Sequence, residues 1–573
     1  MILQALAKYY NERMPDAAQE GFQQQEIPFV ITLNRQGDFV GLTPTSESDG
    51  KKKKARSFLV PKAVKKSVNI AANLLWGTPA YVFGRPKPDK KKDADSLMER
   101  AKEQQKSFIS KIVETFPDRT LDEGIAAVTR FLELKNYEKL FMHSQWQEIE
   151  DSGANITFQL EGDTELICQR KVVKDVIASG AETNNAGSQV CLITGHKDSP
   201  ARLHTAIKGV WGAQSSGANI VSFNLDAFRS FGKEQGYNAP VGRKVEFAYT
   251  TALNTLLAKG SRQRIQVGDA STVFWAEKKH ELEDWFADIF GEPAKENSEQ
   301  DNAAIKALFK APETGAKPML DDSTKFYVLG LSPNASRIAI RFWYASTVAE
   351  VEENIRQHFK DIAIDRPPKQ PEYLSLFRLL ISTALQGKSD NIQPNLAGDF
   401  MRAILAGIPY PDTLLSSAIR RIWAEQEVTY PRASLIKAVL VRKARYKNEK
   451  EEIAMGLDAE NTNTGYRLGR LFAVLEKIQE EASPGINATI RDRFYSSASS
   501  TPVTVFSHLL KLKNHHIAKL ENKGRAVNFE KLVGEIVDDI KDFPAHLSLD
   551  DQGRFAVGYY HQRQDFFKKR DNN

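Results

Sequence analysis

The hydrophobic periodicity of the chain changes once, near Arg366-Pro367-Pro368, and this change restricts the fold more than any other feature. From Tyr373 onward apolar residues recur at helical spacing over 373–386, 396–406, 412–425, 431–442, 464–482, 486–495, 502–521, 527–541 and 550–568. Segments of that length predict a helical bundle over 366–573. Before the break the segments are shorter and more varied. Residues 2–14 have the spacing of an amphipathic helix, and 27–32 and 38–43 read as a hairpin across the turn Asn34–Gly37. Residues 93–145 look helical, Asn155–Leu160 and Leu166–Gln169 alternate as strands, Phe247–Leu257 is helical and Thr272–Trp275 is a strand. Thr324–Leu331 and Arg337–Phe342 alternate strongly, whereas 291–317 is a polar excursion. The expected fold class is α+β: a mixed α/β domain over 1–365 with short antiparallel strands, then an all-helical domain over 366–573.

At 573 residues the chain is too long for one core. Hydrophobic content of 41% with 27% charged residues describes an ordinary globular protein. A net charge of +6 and a pI near 8.9 favour an anionic partner only where the positive charge is clustered. Cys168 and Cys191 are too few for a disulfide framework or a zinc cage, and both sit in apolar runs, which fits a reducing cytoplasm. The start, MILQALAKYYNERM, lacks the pattern of a signal peptide, and no apolar run is long enough to span a membrane.

Positive charge is clustered first at KKKKAR, residues 51–56, followed by Lys62, Lys65 and Lys66, and again at RPKPDKKK. Between these lies VNIAANLLWGTPAYVFG. Lysines in such runs displace counterions from a nucleic-acid backbone, which makes Lys52, Lys53, Lys62, Lys65 and Lys66 candidates. The plainer reading is a solvated charged loop. Asn69 and Asn73 share a helical face, and Asn73 precedes Trp76. Such an amide suits a base edge, or a helix cap over a core tryptophan.

A second stretch runs from Gln189 to Asp226. It starts as a buried strand, Val190–Ile193, opens into a loop with Lys197, Arg202, His204 and Lys208, and passes Gly209, Gly212 and Gly217 around Ala213-Gln214-Ser215-Ser216. An apolar run, Ile220–Phe223, closes it. Close glycines let a backbone approach a ligand. The basic side chains suit phosphate, and Gln214, Ser215, Ser216 and Asn219 suit base edges; a surface loop of small polar residues is the alternative. The bundle surface is expected to carry Arg420, Arg421, Arg432, Arg442, Lys443, Arg445, Lys447, Arg467, Arg470, Arg491, Arg493, Lys511 and Lys513. Arg470, Arg491 and Arg493 adjoin polar turns and are the candidates there for a phosphate backbone.

Catalytic patterns are missing. Gly387-Lys388-Ser389 imitates a phosphate loop, but Ser382 stands where its first glycine belongs. The glycines at 209, 212 and 217 do not match a dinucleotide fingerprint. His515-His516 would point apart on a helix, and no HExxH or Gly-x-Ser-x-Gly occurs. Asp321-Asp322, Asp538-Asp539 and Asp550-Asp551 could hold Mg²⁺ but read better as helix caps or charged faces. The expectation is a noncatalytic binding protein without metal or cofactor.

Long strings of the chain resemble the large subunit of the type I-C CRISPR Cascade complex. They include MILQAL…YY, RSFLVPKAV…NIAANLLW, ARLHTAIKGVWGAQSSGANIVSFNLDAF…GYNAPV, AYTTALNTLL, FYVLGLSPNASRIAIRFW, GYRLGRLFAVLEKIQE, NATIRDRFYSSASSTPVTVF and FPAHLSLDDQGRFAVGYYHQRQDFF. Residues 86–106 and 291–317 diverge. The resemblance implies a noncatalytic subunit of an RNA-guided antiviral complex, near the 5′ handle of the guide RNA. It implies recognition of a short flanking motif (PAM) in duplex DNA, promotion of duplex opening and R-loop formation, and help in recruiting a separate helicase-nuclease. The implied partners are guide RNA, target duplex and displaced strand, and the backbone, handle-binding and small subunits. It also implies a C-terminal domain like the small subunit, with 455–573 made separately from an internal start at or near Met455. The PAM-reading surface is placed, from residue chemistry, on Asn69 and Asn73 and on Lys208, Gln214, Ser215, Ser216 and Asn219. A scaffold touching guide RNA only, and a divalent-metal nuclease, are the alternatives.

Overall fold

The structure, a computed structural model, describes residues 1–14, 21–49, 52–64, 70–89, 93–118, 120, 122–182, 188–291, 323–393, 395–450, 453–538 and 540–568, with side chains except at 47–49, 52–54 and 178–182. Two units divide the chain: Leu3–Leu203 with Phe223–Thr251, and His204–Ser222 with Ala252–Asn573. The expected boundary at 365/366 lies inside the second unit. The fold class is α+β, with short antiparallel strands in the N-terminal half and a helical C-terminal region.

The first unit is built on a four-stranded sheet in the order Phe39–Pro44, Phe29–Leu33, Ile156–Leu160, Trp76–Gly77. The hairpin expected from Asn34–Gly37 forms, because Asn34 Oδ1 accepts from the Asp38 amide at 2.8 Å and Gly37 takes a φ of +87°. Phe29–Leu33 also runs parallel to Ile156–Leu160, and both strands are buried almost throughout, as central strands covered on two faces must be. Helices Ala94–Thr115 and Glu123–Leu134 start at the caps Asp93 and Asp122 and place Phe108, Ile112, Ile125, Val128 and Phe131 in the core. Edge-to-face rings at Phe83, Phe131, Tyr137 and Trp146 fill that core.

A polar β-ribbon accompanies the sheet. Phe22–Glu26 pairs with Ser57–Pro61, and Ser46–Asp49 pairs with Lys52–Ala55. The lysine run is therefore a strand, where a loop was the plain reading. Its register sets Lys52 opposite Asp49 and Lys54 opposite Glu47. Two expected strands are corrected. Leu166–Gln169 gives a 3₁₀ turn, Ile167–Gln169, because Gln169 Oε1 takes the Leu166 amide at 3.0 Å. The strand at Val190–Ile193 shrinks to Gln189–Val190, since Gly195 turns the chain at a φ of +74° and ties its amide to Cys191 O. Cys191 is buried there, but Val190 and Leu192 are exposed. Ile220–Phe223 forms no strand; a single bridge at Asn219 precedes it.

The second unit joins an antiparallel sheet to the bundle. The strand order is Arg264–Val267, Ala270–Ala276, Lys325–Asn334, Arg337–Thr347. Helices Leu282–Phe290 and Val348–Ile362 contribute to its core, with Phe274, Phe286 and Phe326 in ring contact. Helices Leu376–Thr383, Leu396–Ala406, Asp412–Glu425, Tyr430–Tyr446, Thr464–Ala482, Ile490–Ser500, Phe506–Lys519, Lys523–Val537 and Leu549–Asp565 follow. Thr464–Ala482 and Leu549–Asp565 touch backbone to backbone. A Cβ on Gly469 would meet Phe555 O at 2.0 Å, and one on Gly558 would meet Tyr466 O at 2.1 Å, so both positions require glycine.

This close packing corrects the expected basic surface. Arg432, Arg442, Arg467 and Arg470 are buried. Arg432 pairs with Glu425, Arg442 lies 3.9 Å from Asp361 and 4.4 Å above the Tyr410 ring, and Arg445 pairs with the same Asp361. Among the described residues no helix is long and apolar enough to cross a membrane.

Candidate nucleic-acid interface

In the first unit the lysine-rich region divides into parts of different character. Lys65, Lys66 and Asn69 lie outside the described residues, and for Lys52 and Lys53 only the backbone register is described. Asn73 is 6% exposed, and its Oδ1 accepts from the Val64 amide at 3.1 Å. Trp76 Nε1 donates to Pro61 O at 2.8 Å. Trp76 thus holds the last residue of the ribbon strand and Asn73 the chain just after it, and the base-edge role for Asn73 is withdrawn.

Lys62 and Arg202 do come together, with a third cation that sequence reasoning missed. They line a cavity of about 380 Å³ with Arg243, Glu246, Gly21, Ile177, Ala201, Leu203 and Phe247. Backbone bonds gather its walls. Lys62 N donates to Gly21 O at 2.7 Å, Ala201 N to Val241 O at 2.8 Å, and Arg243 N to Ser199 O at 3.0 Å. Arg243 opens the Arg243–Leu256 helix, whose residues up to Thr251 belong to this unit, and Glu246 follows one turn later. Among the described residues neither Arg202 nor Arg243 has an acidic side chain within ion-pair distance, whereas Glu246 is buried.

In the second unit the glycine stretch forms a closed loop over Ile207–Ala218. Ile207 and Ala218 exchange backbone bonds of 2.8 and 2.9 Å, and both are buried. Lys208 N donates to Asn254 Oδ1 at 2.7 Å, and Trp211 N donates to Ser271 Oγ at 2.9 Å. Gly217 has a φ of +92°, and a Cβ there would meet Ile207 O at 2.8 Å, so only glycine closes the loop without strain. Above this base Lys208, Gln214, Ser215 and Ser216 are exposed, and Trp211 is 60% exposed. Asn219 is corrected: its Nδ2 donates to His204 O at 2.8 Å, so it braces the loop. Trp211 was overlooked, although an aromatic residue among glycines and polar residues is itself a signal for a stacking surface.

The three bundle arginines differ. Arg470 donates from Nη1 to Ala459 O at 3.0 Å and from Nε to Gln562 Oε1 at 3.2 Å, so its phosphate role is withdrawn. Arg491 is half-buried, 3.7 Å from the fully buried Glu476, which also accepts from Tyr559 Oη at 2.5 Å and Thr489 Oγ1 at 2.8 Å. Arg493 is exposed and has no acidic partner among the described residues.

Asp321 and Asp322 lie outside the described residues, as does Asp539. Asp550 accepts from Lys443 Nζ at 3.0 Å, and Asp551 receives Arg554 and Asn463 beside the Ser548 cap. Among the described residues no three histidine, cysteine or carboxylate groups gather as metal ligands. Burial pushes the Cys168 thiol up to about 12, which keeps it a protonated core group.

The fold and these surfaces define an α+β protein with cationic, loop-borne sites suited to a polyanion. The chain belongs to the family of CRISPR-associated proteins described as Cas_Csd1, whose model matches residues 6–567. No curated protein matches the chain.

Proposed function

We propose that the chain is the noncatalytic large subunit of a type I-C Cascade complex, and that it recognises the PAM in duplex DNA through the Ile207–Ala218 loop. The observation that carries this reading is a rigidly anchored loop presenting one cation, one indole and three polar side chains to solvent. Guide pairing reads the long target, so a protein in such a complex need read only a few base pairs and the backbone. Gln214 has the amide geometry for a base edge in the groove, and Lys208 supplies charge to phosphate. Trp211 has a face for a base exposed when the duplex opens and the R-loop starts. Membership of a CRISPR-associated family over nearly the whole chain supports a place beside guide RNA, target DNA and other effector subunits. Cutting is left to a recruited helicase-nuclease. The helical segment 366–573 acts in the manner of a small subunit. Met455, between helices Tyr430–Tyr446 and Thr464–Ala482, is the proposed internal start.

The test is binding of target duplexes by the assembled complex, with the flanking trinucleotide intact or scrambled. Gln214→Ala is expected to reduce discrimination between flanks by about 10-fold, the scale of one good base contact. Lys208→Ala should weaken binding to every flank alike and lower the salt slope by about one. Unchanged binding of wild-type complex to scrambled flanks would overturn the reading.

A further inference from the structure

The basic cavity of the first unit has no task in that reading. Its charges are graded by depth. Arg202 and Lys62 are exposed, Arg243 is half-buried, and Glu246 is buried, so the cations stand toward solvent and the acid lies within. A nucleotide fits both ends: phosphate on the outer cations, base inside, with an exocyclic amino group donating to Glu246. Ile177, Ala201 and Phe247 supply the apolar wall that a base needs. Phe247 is fixed edge-on by Tyr10 at 5.7 Å, so that wall is rigid. The volume, about 380 Å³, lies at the small end of ligand pockets, which suits one nucleotide. Gly21 closes the cavity at a φ of +88°, where a Cβ would strike Ile177 Cγ2 at 2.2 Å.

We infer that this cavity captures a single unpaired nucleotide whose base carries an exocyclic amino group. The inference rests on the RNA-guided complex proposed above. The nucleotide belongs either to the guide RNA or to the displaced DNA strand, and these sources separate experimentally. A diazirine amino acid is placed at Leu203, which lines the cavity and is exposed, and the assembled complex is irradiated with guide alone and then with target duplex. Crosslinking to one nucleotide is expected. If it forms with guide alone, the guide is the source; if it appears only with target, the displaced strand is. Arg202→Ala with Arg243→Ala should cut the crosslink about 10-fold or more, and Arg202→Ala alone, at an exposed position, should cut it without affecting assembly. Uracil or thymine substituted at the captured position should lower the yield about 10-fold relative to an amino-bearing base. No crosslink, a crosslink spread along a run of nucleotides, or one indifferent to the arginines would overturn the inference. Flank discrimination measured on the same complexes keeps this result separate. If discrimination persists without the crosslink, the cavity assignment fails and the PAM reading stands.

Discussion

Replacing Arg470 separates a structural arginine from a phosphate-binding one. Its side chain is 4% exposed and donates to Ala459 O at 3.0 Å and Gln562 Oε1 at 3.2 Å. Each bond from a charged donor contributes about 1.5–3 kcal/mol. Against this stands desolvation, which lowers the Arg470 pKa from its ordinary value and returns part of the energy when the charge is removed. Gln562 is fully buried and would lose its partner, at a cost of about 1–3 kcal/mol. The net loss for Arg470→Ala is about 3 kcal/mol, or roughly 4 °C in Tm for a unit of this size. Thermal unfolding of the full chain measures it, and duplex binding over a salt series, well below Tm, measures the other role. Arg470→Ala should lower Tm and leave the salt slope alone. Arg493→Ala should leave Tm alone and reduce the slope by about 0.9 if it lies on phosphate. Arg470→Met, which keeps apolar volume, should recover part of the stability. If Arg470→Ala left Tm in place and flattened the salt slope, the guanidinium would be reaching nucleic acid and the burial argument would fail.

Two further outcomes follow from local geometry. Gly217→Ala combines a φ of +92° with a Cβ 2.8 Å from Ile207 O, which should cost the loop about 2 kcal/mol or more. Amide exchange across 207–218 should accelerate and flank discrimination should fall, with little change in the global Tm; unchanged exchange would show that the loop is not held as described. Acid should destabilise the second unit through two buried histidines. Burial holds His358 down to about 3 and His561 down to about 4, and each is hydrogen-bonded to a tyrosine, Tyr410 at 2.7 Å and Tyr466 at 2.9 Å. In the unfolded chain both take protons near pH 6.5, so below that value the unfolded state binds more protons. The stabilisation is full above about pH 6.5 and declines as the pH falls toward 4, with a limiting slope of about 1.4 kcal/mol per pH unit for each histidine. Denaturant unfolding from pH 8 to pH 5 measures this, and a flat profile would contradict the buried neutral assignment.

The parts of the fold legible in the sequence are those where local pattern and tertiary burial agree. Leu396–Ala406, Asp412–Glu425 and Thr464–Ala482 begin and end where apolar spacing placed them. The hairpin over Asn34–Gly37 was legible from its turn residues. The ribbon strand Phe22–Glu26, FQQQE, was not, because only its first residue is buried and its polar run carries no period of two. Arg467 and Arg470 were misplaced for a different reason. They are three apart on one helical face, which in an isolated amphipathic helix is the solvent face. Here Thr464–Ala482 is covered on nearly all sides, and carbonyls from the preceding turn, at Ala459 and Asn461, receive the two guanidinium groups. The clue was glycine at 465 and 469, which marks close helix packing. The cavity escaped notice because its walls come from distant segments, at 21, 62, 177, 201–203 and 243–247, and no spacing links them.

The fate of the arginines bears on how such a chain would bind nucleic acid. A net charge of +6 suggests a diffuse cationic surface, yet four bundle arginines are turned inward onto acids, carbonyls or an aromatic ring. Charge used in this way releases no counterions from DNA. Positive charge that stays turned to solvent includes Lys208 on its anchored loop, Arg202 at the cavity and Arg493 beside its turn. Where only such positioned cations reach phosphate, nonspecific affinity is weak and the salt dependence of the isolated chain is shallow. That balance suits the proposed role, in which guide pairing chooses the target. Strong nonspecific binding would hold the complex on unrelated duplex, whereas in the proposed function a few positioned cations beside Gln214 and Trp211 would let a flanking motif be sampled and released. Selectivity on this account comes from the rigidity of the loop, set by Asn254, Ser271 and Gly217, more than from total charge.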